Sequence, residues 1–463
     1  MLILLGRYWT HLDAQYYRLS RNDCTWVNHL PVGGGRLAHK MIVDFIKGSL
    51  WSGGALVILS LLQLLSVYVL SRLLLPEVYG QYVPFFIFYN FIKVYYQSFV
   101  VTQIVLDRNS SEAIDRGKII YLACMGVLAA GGGCIVLIGG GFYGTSARAL
   151  VVGGIILIAF LEGFSSLFEA GLTKRLDFAT AAISNVVSYA TGQLVVTVLL
   201  ANIGFGYESL VLGLAVSSVI RLCMIARFSK VSISLAPSKA TYFHYCKTGS
   251  IFFLTESVNF MALQGDQMFV ADQRTQKEAG LYTRALQIAG LPVQFYSYLI
   301  DKVAFGVFAK RAECGDLLAA HKMLYATLVG SAVVVSLALS AFSEKITALL
   351  MGPQWEGVAP LFSVLSMCLG FRAAYKLNET YMRVSGDVSG RLFRQVFYAL
   401  AIVVGCWLAK DYSLKAVAWA VLLANVGYCG ISIIALVRTT PMSIQDAIII
   451  NLPLLATGLY GIT

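Results

Sequence analysis

Charge is scarce in this chain. Only 13% of its 463 residues are Asp, Glu, Lys or Arg, whereas a soluble domain carries about 25%. Histidine is scarcer still: there are five copies, and His244 and His321 lie at the edges of apolar runs, away from their centres. That leaves little material for a zinc site or a histidine relay. The nine cysteines are scattered singly and form no C-x-x-C pair, so they read as small packing residues, neither metal ligands nor a disulfide framework. Long hydrophilic stretches are also missing. The longest connection between apolar runs, near 229–248, has about twenty residues, too few for an extramembrane catalytic domain. No metal or other cofactor is expected.

What is present is apolar. Hydrophobic residues make up 58% of the chain, against about 45–50% in soluble domains, and they are spread along its length. A transmembrane helix needs ~20 apolar residues. About thirteen runs reach that length, near 48–71, 79–105, 118–141, 147–171, 179–202, 207–228, 249–272, 279–307, 323–342, 356–381, 392–410, 414–437 and 443–463. The fold class that follows is all-α: a polytopic transmembrane helical bundle of about 12–14 spans set in a lipid bilayer. Residues 1–40 are polar and contain no continuous apolar region of the kind a signal peptide requires. They are expected to be a segment outside the native fold, with Met41 the cleaner start, or else a cytoplasmic tail. The last run stops at Thr463, and 441–463 is expected to be an extra, incomplete transmembrane helix.

The net charge of +11 does not point to nucleic acid, because most Lys and Arg fall in short stretches between apolar runs, where they orient membrane proteins. Counted over alternating connections, with Arg221, Arg391 and Arg394 taken as loop residues, they divide about 17 against about 7. The larger set faces the cytoplasm if the amino terminus is cytoplasmic. "PEVYGQY" and "QKEAGLY" then give an internal echo: Gly80 and Gly280 stand six spans apart, each followed by x-Tyr. An even number of intervening spans means a parallel repeat, with halves expected at 41–245 and 246–440.

Several spans carry polar stripes. In "FFLTESVNFMALQGDQMFVAD" (252–272), Glu256, Asn259, Asp266 and Gln267 fall within about a 100° arc of a helical wheel. Glu162, Ser165, Ser166, Glu169 and Thr173 repeat the pattern, as do Tyr89, Asn90, Lys93, Tyr96 and Gln97. Arg284, Gln287, Gln294, Tyr298 and Asp301 form another stripe, and Arg372, Lys376, Glu379 and Arg383 a fifth. Ionisable groups at bilayer depth cost several kcal/mol unless a partner or water receives them. Five such stripes describe a wet cavity, with Lys93, Glu256, Asp266 and Arg284 in its wall. Local pairing and snorkelling are the competing account for Arg372 and Lys376, and interhelical hydrogen bonding for Glu162 and Glu169.

Four stretches, in order, resemble the polysaccharide repeat-unit flippases of bacterial inner membranes, the Wzx type within the multidrug/oligosaccharidyl-lipid/polysaccharide exporter superfamily. They are "LSRLLLPEVYGQY" (70–82), "KRLDF" (174–178), "GDQMFVADQRTQKEAGLYTRALQIAGLP" (265–292) and "MGPQWEGVAPLFSVLS" (351–366). One departure is Gln264-Gly265-Asp266, where the family commonly has Asn-x-Asp. The resemblance implies two six-helix halves around a central cavity, alternating access, and an inner-membrane location. It implies, as substrate, an undecaprenyl-pyrophosphate-linked oligosaccharide moved to the periplasmic leaflet for O-antigen, capsule or exopolysaccharide synthesis. Polymerase and chain-length regulator proteins are the implied partners. For such a substrate, Lys93, Arg284, Arg372 and Lys376 are the candidates to hold the pyrophosphate. Tyr89, Tyr96 and Gln287 are candidates to meet the sugars. Glu256 and Asp266 are candidates for ion coupling, the alternative being that they simply neutralise Arg284. Competing readings are a multidrug exporter or a lipid II flippase of the same superfamily. An O-antigen polymerase or ligase is disfavoured, because the longest expected periplasmic loop has about a dozen residues and no histidine.

Overall fold

The computed structural model describes the backbone of residues 34–97, 113–115, 145–175, 177–229, 232–234, 239–313, 316–386 and 389–440, with positions 131, 442, 443, 451 and 454. Side chains are described within 51–97, 153–229, 253–312, 316–386 and 390–440. The expected spans at 118–141 and 443–463, and the segment 1–33, lie almost wholly outside these residues.

The remaining runs form helices in the expected order. They are α1 (Gly34–Leu73), α2 (Pro76–Tyr96), α3 (Thr145–Lys174), α4 (Phe178–Asn202), α5 (Tyr207–Ser229) and α6 (Lys239–Gln273). Next come α7 (Gln276–Leu299, continued by a π turn Ile300–Ala304 and by Phe305–Glu313), α8 (Leu317–Ala341) and the short α9 (Ser343–Leu350). Last are α10 (Val358–Ser385), α11 (Ser389–Leu408) and α12 (Leu414–Thr439). Among the described residues, eight helices are long and apolar enough to cross a membrane; α2, α6 and α7 carry polar stripes instead. One feature was not expected in an all-α chain: Ala113–Asp115 and Ser232–Ser234 pair as a two-stranded parallel ribbon between two connections.

The motif loops prove to be helix starts. Pro76 opens α2, where its missing N–H costs nothing. Asp177 of "KRLDF" caps α4, accepting from the Thr180 N–H at 3.1 Å. Thr275 and Glu278 form a reciprocal capping box at α7. Gly386, at φ 96°, ends α10 in the left-handed conformation that favours glycine.

The "GxY" echo has a structural counterpart. A Cβ on Gly80 would overlap the carbonyl oxygen of Gln276, and one on Gly280 would overlap that of Pro76. The two contacts are the same contact displaced by 200 residues, so α2 and α7 cross main chain to main chain at equivalent points. Small residues permit that approach. Around this crossing the apolar core divides. A large cluster fills the second half and takes in Val67, Leu70, Leu74 and Tyr79 from α1, α2 and the turn between them. A smaller one joins α2, α3 and α5. Val83 and Ile87 of α2 meet Phe260 of α6 in a third.

Candidate functional site

Inside this apolar bundle lies a polar cavity of about 590 Å³. Its wall is built from stripes on five helices: Gln63 of α1; Tyr89, Asn90, Lys93 and Gln97 of α2; Glu162, Ser166 and Glu169 of α3; Asn185, Ser188, Tyr189 and Gln193 of α4; and Ser217, Ser218 and Arg221 of α5. Glu256 of α6 comes from the other half. Tyr189 and Gln193 sit in a π-helical stretch of α4, Tyr189–Val196. Such bulges are frequent at functional sites.

The wall is organised by Arg221. Its guanidinium donates to Glu162 at 2.9 Å and to Glu169 at 2.6 Å. Glu162 also accepts from the Tyr89 hydroxyl at 3.2 Å and from Ser218 at 3.3 Å. Lys93 is exposed to the cavity, with Nζ 5.2 Å from the Tyr89 ring centroid. Glu256 accepts from Asn259 at 3.2 Å. Two cations therefore face three carboxylates along the described wall, and the remaining lining is mostly amides and hydroxyls.

The expected cations do not converge. Lys93 alone lines the cavity. Arg284 is 2% exposed and lies against the Tyr79 ring at 3.6 Å, with the Trp355 ring, itself in edge contact with Tyr79, at 5.8 Å. Its Nη1 donates to Gln287 at 2.6 Å, while Nε and Nη2 have no hydrogen-bond partner among the described residues. Arg372 donates to Asn425 at 3.3 Å, beside Tyr398, which donates to the same oxygen at 3.1 Å. Lys376 pairs with Asp301 of the α7 continuation at 2.7 Å on a part-exposed face, an interhelical pair in place of the expected local network with Arg372 and Glu379.

The carboxylates separate as well. Glu256 opens into the cavity, but Asp266 is buried and accepts from the Tyr282 hydroxyl and the Gln267 N–H, each at 2.8 Å. No hydrogen bond or ion pair joins it to Arg284 among the described residues. Tyr96 is a packing residue: it is 1% exposed, lies edge-on to Tyr95 at 5.3 Å and abuts Gly163. Gln287 is taken up by Arg284.

Three residues read as loop or edge positions lie inside the bundle. Arg221 is one. Arg394 is another, 4% exposed and bonded through two nitrogens to Glu379 at 2.6 and 2.9 Å. His321 is the third, buried with Nε2 3.0 Å from Asn378. The stripe logic applied elsewhere was sufficient to find two of them. Ser217, Ser218 and Arg221 share one helical face, as do Arg391, Arg394, Gln395 and Tyr398.

At one end of the bundle, hydrogen bonds stitch the halves together. The carbonyl of Ser71, near the end of α1, accepts from Trp355 Nε1 at 2.8 Å and from Gln354 at 2.7 Å. Arg72 donates to the carbonyls of Leu350 and Leu349 at 3.1 and 3.3 Å. The "LSRLLLPE" and "MGPQWEG" stretches thus meet as two sides of one seal.

Known proteins place this architecture. The bundle superposes on a lipid II flippase, MurJ, in an inward closed conformation, with a TM-score of 0.71 at 12% identity over 91% of this chain and 92% of that one. It also superposes on an inward-facing multidrug resistance MATE family transporter of the MOP superfamily, with a TM-score of 0.62 at 14% identity over 83% and 96% of the two chains. In sequence it is 24% identical over 298 residues to the succinoglycan biosynthesis transport protein ExoT of Rhizobium meliloti (strain 1021). It is 21% identical over 266 residues to the amylovoran biosynthesis protein AmsL of Erwinia amylovora. The matched stretches span 63% and 55% of this chain, and 59% and 67% of those relatives. Residues 69–360, from the seal through both motif-bearing helix starts, match the model of a family described as polysaccharide biosynthesis protein, and the chain belongs to that family.

Proposed function

We propose that this protein is a flippase that moves undecaprenyl-pyrophosphate-linked oligosaccharide repeat units from the cytoplasmic to the periplasmic leaflet of the bacterial inner membrane by alternating access. The observation that carries this reading is the polar cavity of about 590 Å³ set among apolar membrane-spanning helices. Sugar hydroxyls cannot enter hydrocarbon without replacement of their hydration, which costs several kcal/mol per unpaired group. The amides and hydroxyls of Asn90, Gln97, Asn185, Gln193 and Ser217 supply that replacement.

Lys93 serves the anionic linkage first, because it is the cavity cation without a carboxylate partner among the described residues. Arg284 offers two further donors once the seal opens. Glu256 is the better placed of the two coupling carboxylates, since it reaches the cavity while Asp266 is closed off by Tyr282. With Arg221 and Arg394 removed from the loop count, the connections still divide about 15 against about 7. A cytoplasmic amino terminus then makes the Ser71–Trp355 seal periplasmic and directs the cavity toward the cytoplasm. The polymerase and chain-length regulator that take up such a product are the corresponding partners.

One observation favours a second reading. Three wall carboxylates against two cations suit export of a cationic drug by the same fold, and membership of the polysaccharide biosynthesis family weighs against it. Deleting the gene separates the two. Lipid-linked repeat units trapped in the cytoplasmic leaflet, with loss of surface polysaccharide, support the flippase; normal polysaccharide in a strain without a redundant exporter refutes it.

A further inference from the structure

On the membrane-facing side of the first half, α1 and α4 enclose a groove of about 320 Å³ with an almost wholly apolar lining. Its floor consists of the small residues Gly54, Ala55 and Ala182, and its sides include Trp51, Ile58 and Ile183. Trp51, Ile58 and Ile183 are exposed. A Cβ at Gly54 would meet no atom within 4 Å, so the hollow there is open space, not a helix contact. The same two helices turn their other faces to the polar cavity: Ile58 lies in the groove and Leu59 in the cavity wall; Ile183 and Val186 lie in the groove, and Asn185 and Ser188 in the wall. Groove and cavity are therefore the two sides of one helix pair. Both lie along the amino-terminal parts of α1's apolar span and of α4, which belong to the cytoplasmic leaflet when the amino terminus is cytoplasmic.

From this we infer that the α1–α4 groove is a binding site for the prenyl tail of the lipid-linked substrate, holding the tail against the outside of the wall whose inside receives the head. The inference rests on the flippase reading above. A molecule with one polar head and one long single tail fits a polar chamber backed directly by an apolar channel. The small floor residues give a branched isoprenoid room that larger side chains would remove.

The test is lipid capture. The full chain is placed in phosphatidylethanolamine/phosphatidylglycerol vesicles, with and without undecaprenyl pyrophosphate, with photoreactive benzoylphenylalanine at Ile183 or, for comparison, at Val334, an exposed position on α8. The expected result is an adduct carrying the undecaprenyl mass at Ile183 and phospholipid alone at Val334. Gly54→Leu should abolish the prenyl adduct while membrane abundance and melting temperature stay unchanged. Equal capture at the two positions overturns the inference, as does an undiminished adduct in folded Gly54→Leu. If that variant is destabilised, the comparison of the two positions in the otherwise unaltered chain still decides. The transporter reading has its own readout: if the unaltered chain fails to restore polysaccharide export to a deletion strain, that reading falls. A chain that restores export yet captures only phospholipid at Ile183 overturns the groove alone.

Discussion

Arg221 and Glu162 form an ion pair of 2.9 Å between α5 and α3, and Glu169 extends it to a triad at 2.6 Å. Glu162 is almost fully buried, so this pair decides both the shape and the charge of the cavity wall. Breaking a buried pair from one side typically costs about 3–5 kcal/mol, because the other charge is left without compensation. Arg221→Ala is expected to lower the melting temperature in detergent, and Arg221→Ala with Glu162→Gln to recover much of the loss. A double-mutant cycle that shows no coupling would contradict the pair's role.

Lys93 and Arg284 should behave differently from Arg221. Neither has a carboxylate partner among the described residues, so truncating either leaves no orphaned acid. Lys93→Ala and Arg284→Ala are expected to impair export while membrane abundance holds, and Asp266→Asn to do likewise. Lys376→Ala removes only a part-exposed pair, worth about 0–1 kcal/mol, and should leave abundance and melting temperature nearly unchanged. Full complementation by Arg284→Ala and Asp266→Asn would remove both from the transport machinery.

The seal gives a conformational prediction. Trp355→Phe keeps an aromatic ring beside Tyr79 but deletes the Nε1–H donated to Ser71. A net hydrogen bond contributes about 0.5–1.5 kcal/mol, enough to shift an open–closed equilibrium by up to about tenfold. Labelling of a cysteine at Gln193 by a membrane-impermeant maleimide in whole cells should rise in Trp355→Phe. Unchanged labelling would mean that the stitch does not hold this end closed.

Glycine positions supply a stability series. Gly80→Ala and Gly280→Ala each place a methyl group on a main-chain carbonyl of the facing helix and are expected to destabilise by about 1–3 kcal/mol. Gly54→Ala, which meets nothing within 4 Å, should be neutral. Membrane abundance and melting temperature of the three variants check the order.

The helices were legible because most described spans are long apolar runs, and the bilayer allows few alternatives to a helix. The cavity was partly legible, since the Tyr89–Gln97 and Glu162–Glu169 stripes could be read from spacing alone, and Lys93 and Glu256 do line it. Pairing was not. Whether Arg284 meets Asp266 or two aromatic rings depends on how α7 packs against α2 and the Trp355 turn, contacts made across about 70–200 residues of sequence. Arg221 and Arg394 were read as loop cations because a basic residue near a span's end scores the same whether it faces water or a buried glutamate. Tyr96 shows the converse: it shares a stripe with Lys93, yet Gly163 leaves a hollow on α3 that the ring fills.

The Gly80–Gly280 crossing bears on how the halves move. Where two elements interlock through side chains, relative rotation must pull every knob from its hole. At the two glycines themselves the opposing surfaces are peptide backbone, flanked by polar side-chain contacts such as Gln81 to Gln276 at 3.2 Å. If the halves rock as the proposed function requires, such a contact is suited to be the fulcrum. On the proposed alternating-access reading, this crossing is the place where the halves can rotate with the least side-chain repacking.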